Sequence, residues 1–335
     1  LRFDGERIEA VHGRSPDDVW MVGAAGLILH WDGRELTELR HRATERRIVG
    51  LAWEGAQGWI AASADGLLLR GSLSAGLISV EPAPIKAPDT LVRLPSGELV
   101  LQALCDEIVV QRTDGSWRPL PRPDGLDCIK RVGGQSTSEL WAAGSNDGVD
   151  GKVWRLQGGR WVPVPTKTEE ELRFVVARPD GSVWIGGDRV LLTAPRGRPL
   201  TAAATHEFDR YKGATVAGDA LWIAGDNTEI GSAGLLLRER AGAWTRHDRL
   251  TANWLAGVAV TPAGQVWAVG LGGVAARSAE VGFAPTDTGT GATLGHLLAH
   301  PSGALLAVGD DGVILQRDPG PAPGSTADHG LPTSD

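Results

Sequence analysis

Residues 8–40, IEAVHGRSPDDVWMVGAAGLILHWDGRELTELR, decide how the chain is read. Three hydrophobic runs of strand length are separated by turn residues, which is the pattern of a β-meander. Ile8 to His12 is expected as an inner strand A, and Ser15-Pro16-Asp17-Asp18 as a tight turn. Val19 to Gly23 follows as strand B, and Gly26 opens strand C at Leu27 to Trp31. Asp32-Gly33 is a two-residue hairpin signal into an outer strand D, Glu35 to Leu39.

The middle phrase, an apolar anchor followed by small residues and then Gly, recurs at Trp20, Trp59, Val100, Trp141, Trp184, Trp222, Trp267 and Leu306. The steps are 39, 41, 41, 43, 38, 45 and 39 residues, close to the roughly 40–45 of a four-stranded propeller blade. Trp at an anchor is large enough to fill the gap between two adjacent sheets. LPSGEL, RPDGSV, TPAGQV and HPSGAL put Pro and Gly at one phase of successive repeats, as type I or II turns between strands A and B require. Helical repeats fit poorly, because the apolar runs are short and seldom spaced at three or four residues. The expected fold is an all-β propeller of eight four-stranded blades over residues 1–318. Seven blades is the alternative if the Val100 or Leu306 repeat is irregular. The last repeat lacks an outer strand before the Pro-, Gly- and Ser-rich residues 319–335, expected as a disordered tail. Leu1-Arg2-Phe3 is expected to fill that place and close the ring.

A net charge of -8 argues against non-specific contact with nucleic acid or anionic membrane, both of which need basic surface. No apolar stretch reaches the roughly 18 residues of a membrane span, and the first residues of the sequence show no basic region leading into an apolar run of the kind that marks a signal peptide. Residue 1 is Leu, so an N-terminal segment is expected to precede it, and the compartment stays open between cytoplasm and cell envelope. The Arg-, Ala- and Gly-rich composition is that of a high-GC bacterial genome. Cys105 and Cys128 lie in neighbouring repeats without metal-ligand spacing; they are expected as two half-buried thiols, with a disulfide as the alternative.

Through SPDDVWMVGAAGLILHWDG and DGSVWIGGDRVLL, the repeats resemble the bacterial propeller repeats grouped as BNR-like, Ycf48-like and two-component-regulator, related to WD40- and YVTN-like blades. The resemblance covers residues 1 to about 318. It implies a scaffolding, assembly or sensing role and no single conserved reaction.

Loop length points to a face. The A-to-B turns are short and uniform, whereas 41–47, 165–173, 205–213 and 247–254 are longer D-to-A loops, on the face that also carries the B-to-C loops. Variable loops on a rigid scaffold are where binding concentrates. Phe208, Arg210, Tyr211, His247, Arg249 and Trp254 are therefore the expected binding residues, as an exposed aromatic and basic patch. Packing of the aromatics beneath the loops is the competing reading. Asn146, Asp147 and Asp150 in SNDGVDG offer oxygens to a calcium ion, against the plainer reading of a polar loop. No other cofactor is expected. His12, His206, His247 and His296 hold no catalytic spacing with a nucleophile or paired carboxylate, so a non-catalytic module with a protein partner is expected. A lectin-like carbohydrate-binding propeller is the alternative, and a polysaccharide hydrolase or lyase built on Tyr211 a more distant one.

Overall fold

The computed structural model describes residues 6–15, 17–39, 41, 43–54, 58–72, 75–112, 114–125, 128–146, 150–203, 206–299 and 303–317. They form eight antiparallel sheets in chain order, seven of four strands and the last of three. The sheets are the blades of a β-propeller. Their inner strands are Ile8–Ser15, Ile48–Glu54, Pro88–Arg93, Cys128–Gly134, Leu172–Ala177, Asp209–Ala217, Leu255–Val260 and Leu294–Ala299. Blade 1 follows its sequence closely, with later strands at Asp18–Gly23, Ile28–Trp31 and Leu36–Glu38. In three of the Pro-Gly turns, Gly97, Gly181 and Gly264 donate to the carbonyls of Leu94, Arg178 and Thr261. That bond, with Gly in fourth position and φ near +80 to +88°, is the type I pattern.

The recurring Gly has a physical cause. Every inner strand carries a β-bulge at the same phase, at Glu9, Val49, Asp89, Lys130, Arg173, Lys212, Ala256 and Gly295. The residue beside each bulge pairs with the last residue of the anchor phrase: Ile8 with Gly23, Leu172 with Gly187, Leu255 with Gly270. The bend drives a neighbouring carbonyl into the place of a side chain. A Cβ on Gly187 would stand 1.7 Å from the Glu171 carbonyl oxygen, and one on Gly270 1.9 Å from that of Trp254. At these two positions only a residue without a Cβ fits, whereas blades 2 and 3 accommodate Ser63 and Ala103 at the equivalent place.

The anchors Trp20, Trp141, Trp184, Trp222 and Trp267 are all buried. Most are capped by a cation: Arg155 over Trp141, Arg178 over Trp184, Arg238 over Trp222 and Arg317 over Trp267. Trp59 departs from the expected series. The register pairs Ala52 with Ile60 where blade 1 pairs His12 with Trp20, so Ile60 is the true equivalent. Trp59, one residue earlier, faces back toward blade 1 and packs on Trp20 at a ring separation of 5.0 Å. Gly71 makes room for it, since a Cβ there would meet the Trp59 ring at 2.1 Å. Trp53 is buried in the same core, as expected of a strand A residue.

Cys105 and Cys128 form a disulfide, which replaces the reading as free thiols. Cys105 lies in the B-to-C turn of blade 3 and Cys128 begins the inner strand of blade 4. A propeller sets these two places against each other, and the Cys105 N–H donates to the Ile129 carbonyl at 3.2 Å. Blade 8 packs on blade 1 through Leu306, Val308 and Ile314 against Ile8, Met21 and Leu29. The proposed closing strand Leu1-Arg2-Phe3 and the tail 319–335 lie outside the described residues.

Candidate functional site

The long D-to-A loops and the B-to-C turns share one face, where they bond to each other. Thr44 donates to Asp65, Thr166 to the Gly151 carbonyl, Asn253 to the Leu271 carbonyl and Thr288 to the Gly273 carbonyl. Each bond ties a loop to the turn beside it, so these loops are braced.

The residues expected to form the patch do not stand together as one exposed surface. Tyr211 is only 1% exposed, against the expectation, and its hydroxyl donates to Asp209 at 3.1 Å. Asp209, fully buried, also accepts from Asn227 and from both terminal nitrogens of Arg246. Phe208, half-buried, lies beside His206 with ring centroids 5.7 Å apart. Arg210 pairs at 2.5 Å with Asp226, a second fully buried acid, and donates to Ser232. These residues are the packed head of blade 6. His247 ends the outer strand of that blade and packs on Phe283 with ring centroids 4.8 Å apart. Arg249 is exposed. Trp254 is half-buried beneath Lys212, whose ammonium lies 5.3 Å from the ring centroid. Of the proposed calcium ligands, Asp147 and the side chains of Asn146 and Asp150 lie outside the described residues. Among the described residues no group of three or more His, Cys, Asp or Glu could hold a metal ion.

What the loops surround is a charged collar. The bulged residues stand at the loop-face end of the inner strands, where eight strands converge on the axis. A cavity of about 390 Å³ there is lined by Asp89, Leu104, Lys130, Arg131, Glu171, Leu172, Arg173 and Lys212. Blades 3 to 6 all contribute, which places the cavity at the mouth of the central channel. Lys130 pairs with Glu171 at 3.0 Å, and Arg173 with Glu171 at 2.9 Å and Asp188 at 2.7 Å. Asp89 pairs outside the cavity with Arg47 at 3.2 Å. Lys212 is 3.7 Å from Asp226, an acid it shares with Arg210.

Burial and neighbouring charge act together on two of these groups. Burial holds the Lys212 amine below its ordinary value, opposed by Asp226 and reinforced by the charges of Arg173 and Arg210. Burial tends to raise the Asp188 carboxyl, but the hydrogen bond and charge of Arg173, with Lys212 and Arg210, bring it below the usual range. Glu171, Arg173 and Lys212 fall within the loops 165–173 and 205–213, but nothing in the sequence of those loops marks which residues turn toward the axis. The signal lay in the column after the first apolar residue of each inner strand, which reads Glu, Val, Asp, Lys, Arg, Lys, Ala, Gly around the ring.

No protein-family model matches the chain, and neither does any curated protein. Among solved structures the chain is similar to Sqt1 from Saccharomyces cerevisiae, at 13% identity and TM-score 0.70 over 96% of this chain and 98% of that one. It is similar to Ycf48 bound to D1 peptide at 15% identity and TM-score 0.61, over 95% and 94% of the two chains. A streptogramin B lyase matches at 13% identity and TM-score 0.60, over 80% and 92%. At these identities the likeness establishes the propeller fold alone.

Proposed function

We propose that the chain is a non-catalytic interaction module that holds a protein partner on its loop face. The observation that carries this reading is the collar: fixed charges, braced by ion pairs, at the centre of the face with the longest loops. Such an arrangement recognises a surface by charge and shape. The phenol of Tyr211 supports the non-catalytic part, since burial first and the Asp209 charge second push its pKa well up. It stays protonated and donates to Asp209, the opposite of what a nucleophile needs. Ycf48, solved with a D1 peptide, is a propeller of similar shape that takes a peptide, while the streptogramin B lyase carries an enzyme's name. A lectin with repeated pockets would present the same side chains in every blade, whereas the bulge column changes from blade to blade.

The test compares capture of proteins from lysate of the source organism by the immobilised chain and two variants. Lys167→Glu with Arg249→Glu alters exposed residues of the loop face; Arg198→Glu alters the opposite face. A protein retained by the parent and by Arg198→Glu, and lost from the loop-face variant, is the expected result. Retention that ignores the loop-face charges, or no specific retention at all, would overturn the reading.

A further inference from the structure

The cavity at the channel mouth has an unequal balance of charge. Its lining holds four cations, Lys130, Arg131, Arg173 and Lys212, against two acids, Asp89 and Glu171, with Asp188 behind Arg173 and Asp226 behind Lys212, so that Arg131 is the cation held by carbonyls alone. Asp89 is already engaged by Arg47, and Glu171 is shared between Lys130 and Arg173. Arg131 differs from the rest. Its Nε donates to the Arg173 carbonyl at 3.1 Å and its Nη1 to the Lys130 carbonyl at 2.7 Å. Neutral carbonyls orient the guanidinium without cancelling its charge. The group is exposed to the channel and set one residue below the bulge ring.

Arg131 and Arg173 also border a second cavity of about 320 Å³, lined deeper along the same inner strands by Val92, Val132, Val175 and Phe174 among others. The two cavities together make a charged mouth above an apolar throat. The cavity lining carries more cations than acids, in a chain whose net charge is -8.

We infer that the channel mouth is a binding site for a carboxylate-bearing ligand, with Arg131 as its central contact and Lys130, Arg173 and Lys212 around it. A planar guanidinium matches a carboxylate, and surplus positive charge within low-dielectric walls favours a ligand with more than one. Two sources carry that chemistry, an acidic peptide segment and a free dicarboxylate. The peptide source rests on the partner reading above; the site itself does not.

The experiment titrates the full chain with a fluorescein-labelled hexaglutamate peptide by anisotropy, and with succinate and inorganic phosphate by calorimetry, at low and at physiological salt. Arg131→Gln and Arg131→Lys are measured beside the opposite-face control Arg198→Gln, with thermal midpoints confirming that each folds. Saturable peptide binding that weakens about tenfold or more in Arg131→Gln, recovers in part in Arg131→Lys and is unchanged in the control supports the site with a peptide source. The same pattern with succinate, and none with the peptide, supports the site and assigns it to a small dicarboxylate. Equal binding by Arg131→Gln and the control, tighter binding of phosphate than of either carboxylate probe, or no saturation by any probe would overturn it. A partner still captured through Lys167 and Arg249 in that case leaves the interaction reading standing, so the two failures separate.

Discussion

Gly187 is held by its neighbour's backbone rather than by any turn. A methyl there would overlap the Glu171 carbonyl, whereas Gly158 has φ +57° and open space where a Cβ would go. Gly187→Ala should therefore destabilise by about 3 kcal/mol, as overpacking in a rigid setting does. Gly158→Ala should lose only about 1 kcal/mol, the left-handed backbone penalty. Chemical denaturation of both variants checks the order, and equal losses would show that the bulge relaxes. Histidine gives a second residue-scale expectation. Burial, with Arg7 second, holds the His296 imidazole below its ordinary value, and burial with Arg93 does the same to His12. The unfolded chain then takes the proton at a higher pH than the folded one, so the stability these groups contribute is present above about pH 6.5 and is lost as the pH falls below it. Urea midpoints should drop between about pH 7.5 and 5.5, and the drop should be smaller in His296→Gln; an unchanged slope would exclude His296 as a contributor. Of the residues picked from sequence, Tyr211 is buried where exposure is the expectation, because an aromatic beside a loop looks the same whether it covers solvent or a buried carboxylate such as Asp209.

At the level of elements, the inner strand was legible as an apolar run and its bulge was not. A bulge leaves no composition signal of its own, only the Gly or small residue opposite it, and in the sequence that residue is indistinguishable from a feature of strand B. Trp59 shows the same difficulty, since a shift of one residue turns a strand's side chains to the other face while the phrase looks unchanged. The disulfide belongs here too. Cys105 and Cys128 are 23 residues apart, unremarkable as a spacing, and meet only because the turn of one blade abuts the inner strand of the next. The bridge fastens blades 3 and 4 beside the collar, and Leu104, next to Cys105, lines the cavity. Cys128→Ser should lower unfolding stability by about 3 kcal/mol, the chain-entropy value for a loop of this order. The parent in reducing agent should unfold at the midpoint of the variant. Any remaining gap would assign part of the loss to the serine itself.

The whole molecule is a ring, and its closure is an energetic statement as well as a topological one. The repeat period made the ring legible from the chain alone. The strand proposed to close it, Leu1-Arg2-Phe3, lies outside the described residues, so closure is judged from packing. Blade 8 meets blade 1 through a core that includes Met21 and Leu306, as blade 5 meets blade 6 through Trp184, Tyr211 and Leu237. If both junctions are joints of one ring, opening either exposes two sheet faces at once, and the molecule gains nothing by opening at one place rather than another. Met21→Ala at the closing junction and Trp184→Ala at an internal one should each remove about 3–5 kcal/mol of packing. Both should do so within a single calorimetric transition, its midpoint lowered and its enthalpy per residue retained. An open arc would respond differently, because its end blades each have one neighbour and melt first, as in linear repeats. A separate early transition in Met21→Ala, absent from Trp184→Ala, would therefore mean that blades 1 and 8 are ends in contact and not a closed joint.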